Sequence, residues 1–353
     1  VLILRGDAVT QESFAAAWEK RAPVVVRGIA VVGRWTPSEL AQDFCAVKVS
    51  PINCLTGQTV KGHTVGSFFS KLENADFSDT PPLKLKDWPS RNDFLATFPK
   101  LFKSFYFMIP EGCKEMCKAD GIMNMASFYA DNDNKPDLGP KMYVANGNQN
   151  ANFGTTNLHA DVTCAVNNML WCSDPSRPGA IWQVFRFEDS DQICRYLIET
   201  HGVKNVHPIH SQTVWLTETM LSDLVAIGVV VYTIEQYVGD MVFIPAGCAH
   251  QVRNTQNAIK AACDFISLQN LHITAKLLTS QRDHRLRGGG HSGEDILQLN
   301  ALLFRIWSNM APFIDNVLAS IGKCSHYRRR APLNYHTRAQ QHEGLPLPLT
   351  RLC

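Results

Sequence analysis

The sequence predicts a mainly β protein with α elements, built as a double-sheet jelly roll with a mixed α/β region before it and helices after it. Eight short strand-like runs, at 141–147, 153–160, 163–172, 179–187, 229–237, 241–246, 248–254 and 258–266, are separated by turn residues. Short strands spaced in this way are the pattern of a sandwich or barrel. Apolar residues at helical spacing before residue 135 and again after Ser267 supply the flanking regions. Four segments are therefore expected: a supporting region 1–135, a jelly-roll core 136–267, a helical region 268–322 and a basic tail 323–353.

Taken in order, Thr10 is placed to cap a helix whose apolar positions Phe14, Ala17 and Trp18 share one face. Pro23 to Gly28 reads as a buried strand. Thr36 followed by Pro37 opens another helix, since proline fits the first turn. Phe94, Phe98, Phe102 and Phe105 form a stripe spaced by three and four, the pattern of a core-facing helix. The segment ADNDNKPDLG, from Ala130 to Gly139, is a polar link into the β region. Ser190–Thr200 and Thr217–Gly228 read as helices that interrupt the strands. From Glu294 to Ser320 the residues Leu297, Leu299, Leu302, Leu303, Ile306 and Trp307 make an amphipathic helix, expected to pack on the domain or on a second copy of it.

Composition places the chain among ordinary globular proteins, at 45% hydrophobic and 19% charged residues with a net charge of +2. Its eleven cysteines lack paired CxxC spacing, so reduced thiols are expected rather than a disulfide framework, and Cys113 with Cys117 alone is weak ground for zinc. No apolar run reaches the length of about 18 residues that a membrane span needs. The opening VLILRG is too short for a secretion signal, and a start at Val1 reads as a piece of a longer chain. The tail is different in character. From Lys323 to Cys353 six Lys or Arg face one Glu, leaving 28 basic (34 less 6) and 31 acidic residues (32 less 1) before it. That tail reads as disordered, with Arg328, Arg329 and Arg330 able to contact nucleic acid or an import receptor.

The chemistry centres on GTTNLHADVTCAVNNM, Gly154 to Met169. Residues i and i+2 of a strand project from one face, so His159 and Asp161 set an imidazole beside a carboxylate. A His-x-Asp pair alone arises often by chance. A partner follows in GDMVFIPAGCAHQVRN, where a buried strand stopped by Pro245-Ala246-Gly247 delivers His250 to the mouth of a barrel. Two histidines and a carboxylate on one face of a metal, with the other face open, is the arrangement of non-heme Fe(II) oxygenases.

These residues, with LKLKDWP at Leu83–Pro89, PDLGPKMY at Pro136–Tyr143, PGAIW at Pro178–Trp182 and IKAACDFIS at Ile259–Ser267, resemble the JmjC-domain oxygenases. The resemblance is greatest to the subgroup of histone demethylases acting on lysine nine of histone H3, which includes the hairless-type proteins. It covers roughly residues 1–320 and implies a cupin-like double-stranded β-helix, with Fe(II) held by His159, Asp161 and His250 and with 2-oxoglutarate and O₂ as cosubstrates. It also implies Thr156, Asn167 and Tyr143 as contacts for 2-oxoglutarate. Arg177 would stand where the subgroup carries a Lys to pair with the distal carboxylate, a larger planar cation that is not equivalent. Further departures are Ala160 in place of Leu, Cys164 in place of an acidic residue, and a short segment between Cys172 and Arg177.

What the resemblance implies is oxidative demethylation of methyl-lysine on the histone H3 tail, mono- or dimethylated lysine nine, with release of formaldehyde, succinate and CO₂, in the nucleus. The alternatives are a JmjC protein hydroxylase and a weakly active chromatin scaffold. Other constellations read as structural. His207-Pro208-Ile209-His210 contains a proline that favours a turn over a ligand pair, His272 and His284 lie on helical stretches without a carboxylate partner, and Asp240 and Asp264 read as turn and supporting residues.

Overall fold

Strict alternation of side chains along the strands sorts the expected runs into two sheets with different faces. The computed structural model describes residues 1–73, 81–90, 92–289 and 295–320. Its strands are β1 (Leu2–Arg5), β2 (Val24–Arg27), β3 (Lys48–Val49), β4 (Ile52–Asn53), β5 (His63–Thr64), β6 (Leu83–Trp88), β7 (Lys141–Ala145), β8 (Thr156–His159), β9 (Cys164–Cys172), β10 (Ala180–Phe185), β11 (Val231–Gln236), β12 (Met241–Ile244), β13 (His250–Asn254) and β14 (Ala258–Phe265). An eight-stranded sheet runs β1-β2-β12-β9-β14-β7-β6-β4, and a four-stranded sheet runs β11-β10-β13-β8. All eight expected runs are strands, shortened at their ends, in the jelly-roll barrel of a cupin-like fold.

Within β2 and β12 the side chains divide between two cores. Val24, Val26, Met241 and Phe243 point to an outer layer of helices. Val25, Val242 and Ile244 point inward with Met169, Trp182, Val184, Ile234 and Val252, filling part of the space between the sheets. The outer layer is aromatic: Phe14 meets Phe243 edge-on at 4.8 Å, and Trp18 lies 5.5 Å from Phe265. Such aromatic pairs contribute about 0.5–1.5 kcal/mol each beyond their burial. A third cluster, including Leu158, Phe185, Ile193, Leu197, Ile209 and Leu224, seats the helices Ser190–Glu199 and Glu218–Ala226 on the outside of the four-stranded sheet.

The early helices begin where capping chemistry places them. Thr10 and Thr36 each close a capping box, with Ser13 and Glu39. The phenylalanine stripe is divided between Phe94–Thr97 and Pro99–Met108, because proline restricts the residue before it and Phe98 takes φ −132°, ψ 61°. Phe94, Phe98 and Phe105 are nonetheless buried, as expected.

Two strands departed from expectation. β1 pairs in parallel with β2, and β6, inside LKLKDWP, pairs with β7 and with β4. Beyond β14 the chain forms helices at Leu271–Leu286 and Leu299–Ser320. Leu297, Leu299 and Leu302 are buried, whereas Leu303 and Trp307 are exposed. Val1–Leu303 forms one compact unit, and the described residues Phe304–Ser320 belong to another. The basic tail, with Arg328, Arg329 and Arg330, lies outside the described residues. No described helix is long and apolar enough to cross a membrane.

Candidate metal centre and its cavity

Antiparallel pairing brings the two histidines together. His159 is the last residue of β8, His250 the first of β13, and the two are direct partners across the ladder, with ring centroids 4.2 Å apart. Asp161 lies just past the end of β8 rather than within it. The Pro245-Ala246-Gly247 turn fixes it there, since the Gly247 N–H donates to the Asp161 carbonyl at 3.0 Å. Gly247 has φ +79°, a conformation that favours glycine.

Each imidazole is oriented by its own strand. His159 Nδ1 lies 2.8 Å from the Asn157 carbonyl and His250 Nδ1 lies 3.0 Å from the Cys248 carbonyl. A carbonyl oxygen can only accept, so both Nδ1 atoms carry the proton and both Nε2 atoms present a lone pair. Those Nε2 atoms face the Asp161 carboxylate at 3.9 and 3.8 Å. Burial, followed by the neighbouring His159, pushes the His250 imidazole down to about 4, which leaves it in the neutral form that ligates metal. One ligand atom from each of His159, Asp161 and His250 can be chosen so that all lie within 4.8 Å of one another, the one such group of three among the described residues. The donor set fits a divalent iron.

A cavity of about 730 Å³ opens onto this cluster between the two sheets. Thr156, Asn167 and Tyr143 all line it, as does Trp182. The Tyr143 hydroxyl donates to Asp87 Oδ1 at 2.8 Å, so its proton is committed and its oxygen remains able to accept. Burial, then Asp87, pushes the Tyr143 phenol well above its usual range. The Asn167 carbonyl accepts from Gln236 Nε2 at 3.0 Å.

Arg177 is not brought to the cavity. It is exposed on the turn before β10, where its backbone N–H donates to the Asp174 carbonyl and its own carbonyl accepts from Gln256. The cation that lines the cavity is Lys260 of β14, 5% exposed, cross-strand from Tyr143. Its Nζ donates to Asn254 Oδ1 at 2.9 Å and lies 5.3 Å from the centroid of Trp182, whose other neighbour is the His250 ring at 5.7 Å. Lys260 has no carboxylate partner among the described residues, and burial alone pushes its ammonium down to about 7. Sequence reading missed it, because only the register of β14 against its neighbours turns this lysine inward. Asp264, two turns of the same alternation further along β14, also lines the cavity. Its carboxyl is raised to about 8, first by burial and then by Asp161. Asp240 is the turn residue expected, accepting from the Tyr237 N–H and paired with Arg27 at 3.6 Å.

Comparison with known proteins fits this geometry. Residues 151–265 match the family model described as JmjC domain, hydroxylase. Lysine-specific demethylase 3A of Rattus norvegicus is 30% identical over 369 residues, covering 89% of this chain and 30% of that protein. The Homo sapiens protein of the same name is 31% identical over 359 residues, covering 88% and 27%. Lysine-specific demethylase 3 of Drosophila melanogaster is 31% identical over 349 residues, covering 82% and 40%. The chain thus spans less than half the length of these relatives. It carries a JmjC domain, and over most of its own length it is homologous to lysine-specific demethylases of the 3A type.

Proposed function

We propose that the chain is the catalytic part of an Fe(II)- and 2-oxoglutarate-dependent dioxygenase that demethylates methyl-lysine on the histone H3 tail, with mono- and dimethylated lysine nine as its preferred substrate and the nucleus as its location. The observation that carries this reading is the convergence of His159 Nε2, His250 Nε2 and the Asp161 carboxylate at one end of a cavity large enough for both a keto acid and a lysine side chain.

His159, Asp161 and His250 would hold the iron on one face. Held there, an iron would supply, with 2-oxoglutarate and O₂, the oxidative removal of an N-methyl group as formaldehyde, with succinate and CO₂ as coproducts. The protein's own residues set what enters. Lys260 is placed to pair with the distal carboxylate of 2-oxoglutarate, because a buried ammonium gains most from a charged acceptor. Thr156 and Asn167, which line the cavity, would donate hydrogen bonds to the cosubstrate. Tyr143, its proton held by Asp87, offers an oxygen to a donor. Trp182 neighbours both Lys260 and the His250 ring, at 5.3 and 5.7 Å.

The reading is tested by incubating the protein with H3 peptides methylated singly at different lysines and following methyl loss by mass spectrometry, with His159→Ala as control. Loss confined to mono- and dimethyl lysine nine supports it. Loss at another lysine only would move the specificity, and a retained oxygen without methyl loss would identify a hydroxylase.

A further inference from the structure

By strict alternation β14 sends three side chains into the cavity, Lys260, Ala262 and Asp264. Four residues of strand separate the ammonium from the carboxyl by about 13 Å. At the Lys260 end Trp182 neighbours the His250 ring. At the other end Asp161 is the charged group that acts most strongly on Asp264. Lys260 has a counterpart in the distal carboxylate of the cosubstrate, whereas the carboxyl of Asp264 faces the same cavity with no such counterpart.

We infer that Asp264 is the acceptor for the substrate's methyl-ammonium and that it determines which methylation states the site takes. This rests on the demethylase reading and deepens it. Three other carboxylates act on Asp264, namely Asp161, Asp87 and Asp137. Each of them has partners of its own. Asp161 faces the two histidines, Asp87 lies 3.7 Å from Lys86 Nζ, and Asp137 lies 2.6 Å from Lys141 Nζ. Asp264 has no cationic partner among the described residues; its carboxyl takes a hydrogen bond from the Thr163 side chain and keeps further acceptor positions open. A carboxyl among carboxylates at the wall of a cavity favours a cation as its ligand.

The neighbours of Asp264 leave room for methyl groups. Ala165 lies directly across the ladder from it on β9, Ala262 stands two residues before it on the same face, and both line the cavity. A monomethyl- or dimethyl-lysine ammonium still carries an N–H, so it can donate a charge-assisted bond to Asp264 while a methyl group turns toward the metal donors. A trimethyl-ammonium has no N–H. It sets a methyl group against the carboxyl and takes away the water that would otherwise satisfy it. A site built around a buried acceptor rejects a ligand that lacks the donor far better than a site built on size alone.

The test is calorimetric binding of H3 peptides carrying mono-, di- or trimethyl lysine nine to the whole chain, loaded with Fe(II) and 2-oxoglutarate under argon so that no turnover occurs. The parent protein is expected to bind the first two at least about 10-fold more tightly than the third. Asp264→Ala should weaken the mono- and dimethyl peptides by about 10- to 150-fold, so that the preference collapses, while Kd for 2-oxoglutarate stays within about twofold. A folded, iron-binding Asp264→Ala protein that keeps the parent's preference would overturn the inference. Should that variant lose iron, Asp264→Asn decides, since it keeps the shape and an accepting oxygen without the charge: weaker dimethyl binding supports the role, and unchanged binding sinks it. A parent protein that binds none of the methylated peptides strikes the demethylase reading itself, which separates the two failures.

Discussion

His159 and His250 face each other as direct cross-strand partners, and each is locked by a bond from Nδ1 to the carbonyl two residues before it, Asn157 and Cys248. The same local device on two antiparallel strands turns both Nε2 lone pairs toward one point beside Asp161. The metal geometry is therefore built by backbone, ahead of any metal.

Replacing either histidine or Asp161 by alanine should remove a ligand while leaving the strands paired. Iron binding, measured by equilibrium dialysis, should fall by at least about 100-fold and turnover should drop below detection. The thermal transition without metal should stay within a few degrees of the parent protein.

Lys260 and Arg177 make opposite forecasts. Lys260→Met removes a charged hydrogen-bond donor of the kind that contributes about 1.5–3 kcal/mol, so KM for 2-oxoglutarate should rise about 10- to 150-fold. Arg177→Ala touches an exposed turn and should leave it within about twofold. If Arg177→Ala produced the larger effect, the distal carboxylate would have to bind outside the cavity described here.

The same lysine sets a pH dependence. Burial holds its pKa near 7 in the free protein, against about 10.4 for an unfolded chain. Between those values the unfolded chain binds the extra proton, so the stability of the protein without cosubstrate should rise with pH from about 7 toward 10. Binding of the anionic cosubstrate needs the ammonium, so its affinity should weaken above pH 7, by at most about tenfold per unit. Lys260→Met should remove the Lys260 contribution to both slopes, and calorimetry of the two proteins over that range would show the difference.

Gly247→Ala tests the turn that couples Asp161 to His250. The added Cβ would sit at φ +79°, 2.6 Å from Ile273 Cγ2 and 2.7 Å from Phe187 Cδ2. Left-handed backbone costs about 1–2 kcal/mol and overpacking about 1–3 kcal/mol. A lower melting temperature and weaker iron binding together are expected, whereas a purely structural turn would show only the first.

The legible parts of this protein were those set by short-range rules. Strand alternation, the Thr10 and Thr36 caps and the Pro-Ala-Gly stop all depend on neighbours in sequence, and the elements appear where those rules put them. His159, Asp161 and His250 could be singled out because each sits in an unusual segment. Lys260 could not, since Ile259-Lys260-Ala261-Ala262 reads as core strand and only the register against Tyr143 and Met169 turns the lysine inward. Arg177 was favoured by its position before Pro178 and Trp182, but the turn at Asp174 directs it to solvent. β6 was hidden for a related reason: LKLKDW has the alternation of a strand, yet its partner β7 lies more than fifty residues away.

The most direct test is simultaneous measurement of succinate and formaldehyde from the protein supplied with Fe(II), 2-oxoglutarate, O₂ and an H3 peptide dimethylated at lysine nine. Equimolar release of both, abolished by His159→Ala and restored toward normal at high 2-oxoglutarate in Lys260→Met, is the predicted result. Succinate without formaldehyde, or neither product from iron-loaded protein, would contradict the demethylase account.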